Sequence, residues 1–204
     1  MTPAPAITFV EEGHCYYVNG VECISVTTAL DEGGFSDWKR YVDQMDLAYA
    51  QELGTAVHDA IHMLETPDEG ELNLDALDAP VRNRVRGYKR WKDDCDVFPV
   101  AIEEKVHNSL YGYCGRRDFN GTVLGEKAIV DWKSGVINHT VAMQLAAYAA
   151  CQADPSSYAR YSLQLRDDGS YRLHCYPRSE FRTDFADFCA TLRVAMRKRR
   201  YGNR

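Results

Sequence analysis

Two short stretches of the chain carry residue types suited to phosphate chemistry. They are Gly112-Tyr-Cys-Gly-Arg-Arg-Asp118 and Ile129-Val-Asp-Trp-Lys-Ser-Gly135. The second reads as a buried strand (Ala128, Ile129, Val130) ending in an acid, an aromatic, a lysine and a Ser-Gly turn. Side chains alternate faces along a strand, so Asp131 and Lys133 project to one side and Trp132 to the other. A carboxylate and an ammonium two residues apart could begin a site that handles a phosphate with a metal.

Strand register brings in further acids. Residues 120–125, with an Asn-Gly pair, signal a turn between two strand-like runs. Pairing about a midpoint near Leu124 sets Asp118 opposite Asp131, and directly opposed residues share a face. A similar construction about Tyr111 sets Glu104 opposite Asp118. Three carboxylates and a lysine would then meet, and the acids would repel one another unless cations neutralised them. Hard oxygen donors with room for water and a substrate phosphate suit Mg²⁺ or Mn²⁺. The bland alternative is a hairpin whose charged face is merely solvated.

In its motifs the chain resembles the RecB-type branch of the PD-(D/E)XK nucleases. The resemblance rests on Gly-x-x-Asp118, Asp131-x-Lys133, Gln144-x-x-x-Tyr148 and an upstream histidine on a helix in Gly54-Thr-Ala-Val-His58. It covers about residues 50–150, and the run from Phe9 to Leu30 looks like the opening of phage-type members. The resemblance implies an α/β fold, a mixed central sheet flanked by helices with an αβββαβ restriction-endonuclease-like core. It implies one or two Mg²⁺ (or Mn²⁺) ions bound by His58, Asp118 and Asp131 with help from the Trp132 carbonyl. Lys133 would orient water and stabilise transition-state charge, while Gln144 and Tyr148 position the strand or the motif. Glu104 is a further metal candidate from the register construction. Arg116 and Arg117 are candidates for phosphate contact. The implied activity is metal-dependent exonucleolytic hydrolysis of DNA in recombination, repair or DNA processing. A structure-specific endonuclease or junction resolvase is the rival within the enzyme class. A DNA-binding module with a vestigial site is the rival outside it. DNA is the expected partner, with self-association or a recombination partner protein as further candidates.

A length of 204 residues makes a single domain the default. Its expected parts are an N-terminal β-meander over 1–30, a catalytic core over 50–150 and a basic C-terminal helix over 178–204. Short strands are expected at 7–10, 14–18 and 21–24, with Ser25 as a helix N-cap. Ser36 is expected to cap a helix through Ala50. A separate helix follows with Leu53, Val57, Ile61 and Leu64 as its apolar stripe. His58 and His62 on that helix approach the zinc-protease pattern H-E-x-x-H, but Asp59 stands where the glutamate belongs and no clear third ligand follows. A helix over 78–94 carries Val81, Val85, Tyr88 and Trp91 inward. Gln144 and Tyr148 lie four apart, on one helix face. A hairpin follows through Asp167-Asp-Gly169, then a helix from about Thr183 with Phe185, Phe188, Leu192 and Met196 inward.

Composition excludes several classes. No apolar run approaches the ~18 residues of a membrane span. Residues 1–5 lack signal-peptide character, so a cytoplasmic location in a bacterium or a phage-infected host is expected. The seven cysteines are scattered, with no C-x-x-C pair. The wide spacing of Cys151, Cys175 and Cys189 argues against the iron-sulfur cluster found in some relatives, so none is expected. The net charge of −6 conceals basic runs over 82–92 and 193–204. Screening limits fields to ~10 Å, so local patches decide nucleic-acid contact. Arg197, Lys198, Arg199 and Arg200 are expected to track a DNA backbone.

Overall fold

A computed structural model describes residues 5–10, 12–13, 15–35, 42–66, 68 and 72–202. The chain forms an α/β structure with a mixed eight-stranded sheet. Strands β1 (Ile7–Val10), β2 (Cys15–Val18) and β3 (Val21–Ser25) make the expected antiparallel meander. Asn19 and Gly20 both take positive φ in the two-residue turn between β2 and β3, the geometry that matches strand twist. Ser25 caps helix α1 (Val26–Leu30) by accepting from the Thr28 amide at 3.0 Å.

Helix α2 spans Gln44–Glu65 as one 22-residue element. This corrects the division into two helices at Ala50: Gly54 is accommodated inside a continuous helix capped by Asp43. The expected cap Ser36 lies outside the described residues. Helix α3 (Ala79–Asp94) buries Val81, Val85, Tyr88 and Trp91 as its periodicity predicts. Strands β4 (Phe98–Asn108), β5 (Tyr113–Val123) and β6 (Glu126–Lys133) follow. Then come α4 (Thr140–Ala149), the hairpin of β7 (Ala159–Leu165) and β8 (Tyr171–Tyr176), and α5 (Phe181–Tyr201).

Two apolar clusters hold the sheet. Val130 and Trp132 pack with α2 and α3, while Ile129 joins α4 and α5. That alternation along β6 is what a strand covered on both faces requires. Arg160 of β7 is fully buried and ties the second layer together. It donates to the carbonyls of Ala142 and Pro177 and pairs with Asp184 at 2.6 Å.

The turn between β5 and β6 is Leu124-Gly125, both at positive φ. The Asn120-Gly121 pair lies inside β5 instead. Gly121 serves there by its lack of a side chain, since a Cβ would come within 2.2 Å of the Phe98 carbonyl. A register irregularity in β4 between Pro99 and Ala101 sits beside it. Among the described residues no helix is long and apolar enough to cross a membrane.

Candidate metal and catalytic site

The site lies where two strands part company. One edge of β5 pairs with β3 at Tyr113 and Cys114, and with β6 from Phe119 to Val123. Between Cys114 and Phe119 neither β3 nor β6 pairs with that edge, while β4 pairs along the other. A cavity of about 210 Å³ opens at this split. Its walls include His58 from α2, Asp118 from β5, Asp131 and Lys133 from β6, and Gln144 and Tyr148 from α4. Each of these stands out in the sequence, and the fold brings them together.

The β5–β6 register agrees with the sequence construction. Phe119 pairs with Val130, so one further step sets Asp118 opposite Asp131. Asp118 Oδ2 accepts from the Trp132 amide at 2.7 Å. A strand residue points its N–H and C=O to the same side, so the Trp132 carbonyl is also directed toward β5 rather than β7. The Trp132 ring goes to the opposite face, 5.5 Å from His58 and 5.3 Å from Tyr88, edge-on to both.

The β4–β5 register corrects the acid. Glu104 pairs with Arg117, not Asp118, because the hairpin centre falls between Leu110 and Tyr111 rather than on Tyr111. Glu104 accepts from Arg117 Nε at 2.9 Å. Glu103 is the acid that reaches the site, from a backbone at φ +50°, a left-handed region that non-glycine residues seldom enter. Its carboxylate contacts His58 Nδ1 at 2.8 Å and Arg116 Nε at 2.8 Å. Arg117 is thereby corrected too: it is 3% exposed and neutralised by Glu104, so it offers nothing to a phosphate. Arg116 keeps its place in the cavity wall, with its guanidinium 5.8 Å from the Phe9 ring.

His58, Glu103 and Asp118 each bring a donor atom within 4.8 Å of the others. One imidazole nitrogen with two carboxylate oxygens is a donor set that Mg²⁺ or Mn²⁺ accepts. Asp131 stands apart from this triad. Its Oδ2 lies 2.8 Å from Lys133 Nζ, an ion pair. Lys133 Nζ also donates to Gln144 Oε1 at 3.4 Å. His62 is one turn further along α2 and outside the triad.

The sequence reading misses Tyr16, Ser25 and Thr27 as members of this cavity's wall. It also leaves Gly115 unexplained. A Cβ at Gly115 would lie 2.9 Å from Tyr148 Cε1, so glycine leaves the room that the Tyr148 ring occupies.

The charges follow from this crowding. Burial, with the charges of Asp131 and Glu103, pushes the Asp118 carboxyl up to about 7 against the pull of His58. Burial opposes charge on His58, but Asp118 and Glu103 outweigh it and raise its pKa to about 9. Burial likewise opposes charge on Lys133, yet Asp131 and Asp118 raise it. Lys133 is therefore an ammonium at neutral pH, a donor of charge and hydrogen bonds and not a base.

A divalent ion must displace the His58 proton below pH ~9 and the Asp118 proton below pH ~7. Metal affinity is therefore expected to rise with pH. The slope of log affinity against pH should be about 1 between pH ~7 and ~9, and about 2 below pH ~7. His58→Ala should weaken binding and, because His58 no longer holds the Asp118 carboxyl down, leave Asp118 as the one proton displaced, so that the slope never exceeds about 1 even below pH ~7. Calorimetric Mn²⁺ titrations at several pH values check this. A pH-independent affinity would take His58 out of the ligand set.

No protein-family model matches the sequence, and a search of curated proteins returns no significant match.

Proposed function

We propose that the protein is a metal-dependent deoxyribonuclease that hydrolyses phosphodiester bonds, acting as an exonuclease of the RecB-type or phage-type PD-(D/E)XK kind. The observation that carries the reading is the His58–Glu103–Asp118 donor triad in one cavity with a Lys133 ammonium paired to Asp131. The order α3–β4–β5–β6–α4–β7 is consistent with an αβββαβ core. The exonucleolytic mode rests on the resemblance alone.

His58, Glu103 and Asp118 would hold Mg²⁺ or Mn²⁺, with Asp131 and the Trp132 carbonyl beside them. The ion would supply Lewis-acid polarisation of a phosphoryl oxygen and lower the pKa of attacking water. Lys133 orients that water and stabilises charge developing on the phosphoryl oxygens. Asp131 holds the Lys133 head in place, and Gln144 fixes it from α4. Arg116, anchored by Glu103, is placed to bind a neighbouring phosphate. Incubating end-labelled linear, circular and single-stranded DNA with and without Mg²⁺ tests the reading. Metal-dependent loss of linear but not circular DNA is expected. Cleavage of circles would favour the endonuclease, and no cleavage at all would leave a binding module.

The C-terminal basic run divides in the fold. Lys198 donates to the Glu32 carbonyl at 2.7 Å, and Arg199 pairs with Glu32 and Glu22. Those two cations are engaged by their own chain. Arg197 and Arg200 lie over the Tyr201 ring at 5.0 and 5.4 Å, pair with no carboxylate among the described residues, and share a cavity wall with Arg193. The DNA track is accordingly assigned to Arg193, Arg197 and Arg200. Replacing Arg197 and Arg200 with alanine should flatten the salt dependence of binding by roughly 0.7–0.9 of log–log slope per lost contact. The Lys198→Ala/Arg199→Ala pair should leave that slope alone. Binding titrations at several salt concentrations separate the two, and an unchanged slope in the first variant would remove α5 from DNA recognition.

A further inference from the structure

Two neighbouring cross-strand pairs of β4 and β5 are built in opposite ways. Glu104 faces Arg117, an acid opposite a base, and the two neutralise each other. One step along, Lys105 faces Arg116, a cation opposite a cation. Directly opposed residues share a face at about 4.5–5.5 Å, and like charges set that way destabilise a sheet. Lys105 is exposed and pairs with no carboxylate among the described residues. Arg116 has Glu103 beside its Nε, but that carboxylate is shared with His58. The fold thus keeps an uncompensated repulsion at the rim of the catalytic cavity, of which Arg116 is a wall. An anion seated between the two cations relieves it. A phosphate suits the place, since its oxygens can serve a guanidinium fork and an ammonium together.

We propose that Lys105 and Arg116 form a second phosphate subsite, which holds the DNA phosphate flanking the scissile one on the β4 side of the cavity. The inference rests on reading the cavity as a phosphodiesterase site. Arg116 precedes Asp118 by two residues along β5, ~7 Å at ~3.4 Å per residue. That span matches about two steps of a nucleic-acid strand at ~3.4 Å each. A backbone whose scissile phosphate lies at Asp118 therefore brings a neighbouring phosphate to the pair. Lys133 stands on β6 and Lys105 on β4, strands that pair with opposite edges of β5. The substrate strand then crosses β5 from one lysine to the other. Phosphate contacts carry no base information, so the subsite adds affinity without sequence preference.

The test measures binding of single-stranded oligothymidylate by fluorescence anisotropy without divalent metal, so that cleavage does not intervene. Lys105→Ala should weaken binding about fivefold at ~0.1 M salt and flatten its log–log salt slope by about 0.7, the loss of one phosphate contact. Lys105→Arg should restore both. Lys127→Ala removes an equal charge from β6, near the β5–β6 turn, and should change neither. Lys105→Glu should bind more weakly still yet melt at a higher temperature than wild type, because it replaces the opposed cations with an ion pair. An unchanged slope in Lys105→Ala, an equal loss in Lys127→Ala, or a lowered melting temperature in Lys105→Glu would overturn the subsite. The cleavage assay reports separately, with Mn²⁺ and two substrates. Lys105→Ala should raise KM for the oligonucleotide at unchanged kcat. It should hydrolyse thymidine 5′-(p-nitrophenyl phosphate), whose single phosphate cannot reach the pair, as wild type does, and an equal loss on both substrates would overturn the subsite. Cleavage that Lys105→Ala leaves untouched keeps the nuclease and overturns the subsite. Lys105-dependent binding without any cleavage by wild type supports the subsite and overturns the nuclease, and wild type that neither binds nor cleaves overturns both.

Discussion

Replacing Lys133 with alanine is expected to cut turnover on DNA at saturating metal by at least ~100-fold. The side chain contacts Asp131 at 2.8 Å and Gln144 at 3.4 Å. What alanine removes is a positive charge kept protonated by the surrounding acids, placed beside the donor triad where phosphoryl charge would grow. A preorganised charge in a partly dry cavity stabilises the transition state far more than it would in water. The same substitution leaves Asp131 buried without its nearest cation, so a loss of stability must be separated from a loss of chemistry. Asp118→Asn supplies the control. It removes a charge at nearly constant volume, and the amide oxygen can still accept from the Trp132 N–H, so the strand contact survives. A comparable fall in kcat is expected there, with an unfolding curve close to that of the wild type. Near wild-type DNA degradation by folded Lys133→Ala protein would remove this residue from the mechanism.

Much of this site is legible in the sequence because local rules dominate it. Asp131, Trp132 and Lys133 sit on one strand, where alternation alone assigns faces. Gln144 and Tyr148 sit on one helix, where a four-residue spacing does the same. Asp118 depends on a hairpin with a two-residue turn, and such short loops fix register closely. The β4–β5 connection is longer and lacks a two-residue turn signal, so local rules leave its centre open by half a residue. Helix α2 runs through Gly54 because one glycine costs a long helix only ~1 kcal/mol, less than its packing on α3 returns. Tyr16 and Thr27 are beyond the reach of local rules because nothing nearby in sequence places the meander against β5. That contact is a parallel pairing between strands far apart in the chain.

The half-residue difference in the β4–β5 hairpin exchanges one glutamate for its neighbour, and the two should behave very differently. Glu103→Gln is expected to weaken Mn²⁺ binding by at least ~100-fold and to lower activity with it, while Glu104→Gln should leave both nearly unchanged. The two residues are adjacent, identical in chemistry and opposite in face, because a shift of one residue turns a strand's side chains over. Glu103 holds His58 at 2.8 Å and Arg116 at 2.8 Å and belongs to the donor triad, so glutamine there removes a ligand charge and loosens two neighbours. Glu104 answers only to Arg117 among these groups, and Arg117 is buried. Taking away its carboxylate leaves a buried guanidinium short of its partner, so the expected cost is stability, on the order of 1–3 kcal/mol. Metal titration and thermal unfolding of both variants decide the matter. Should Glu104→Gln lose metal while Glu103→Gln keeps it, the register of β4 on β5 would be wrong and the triad with it.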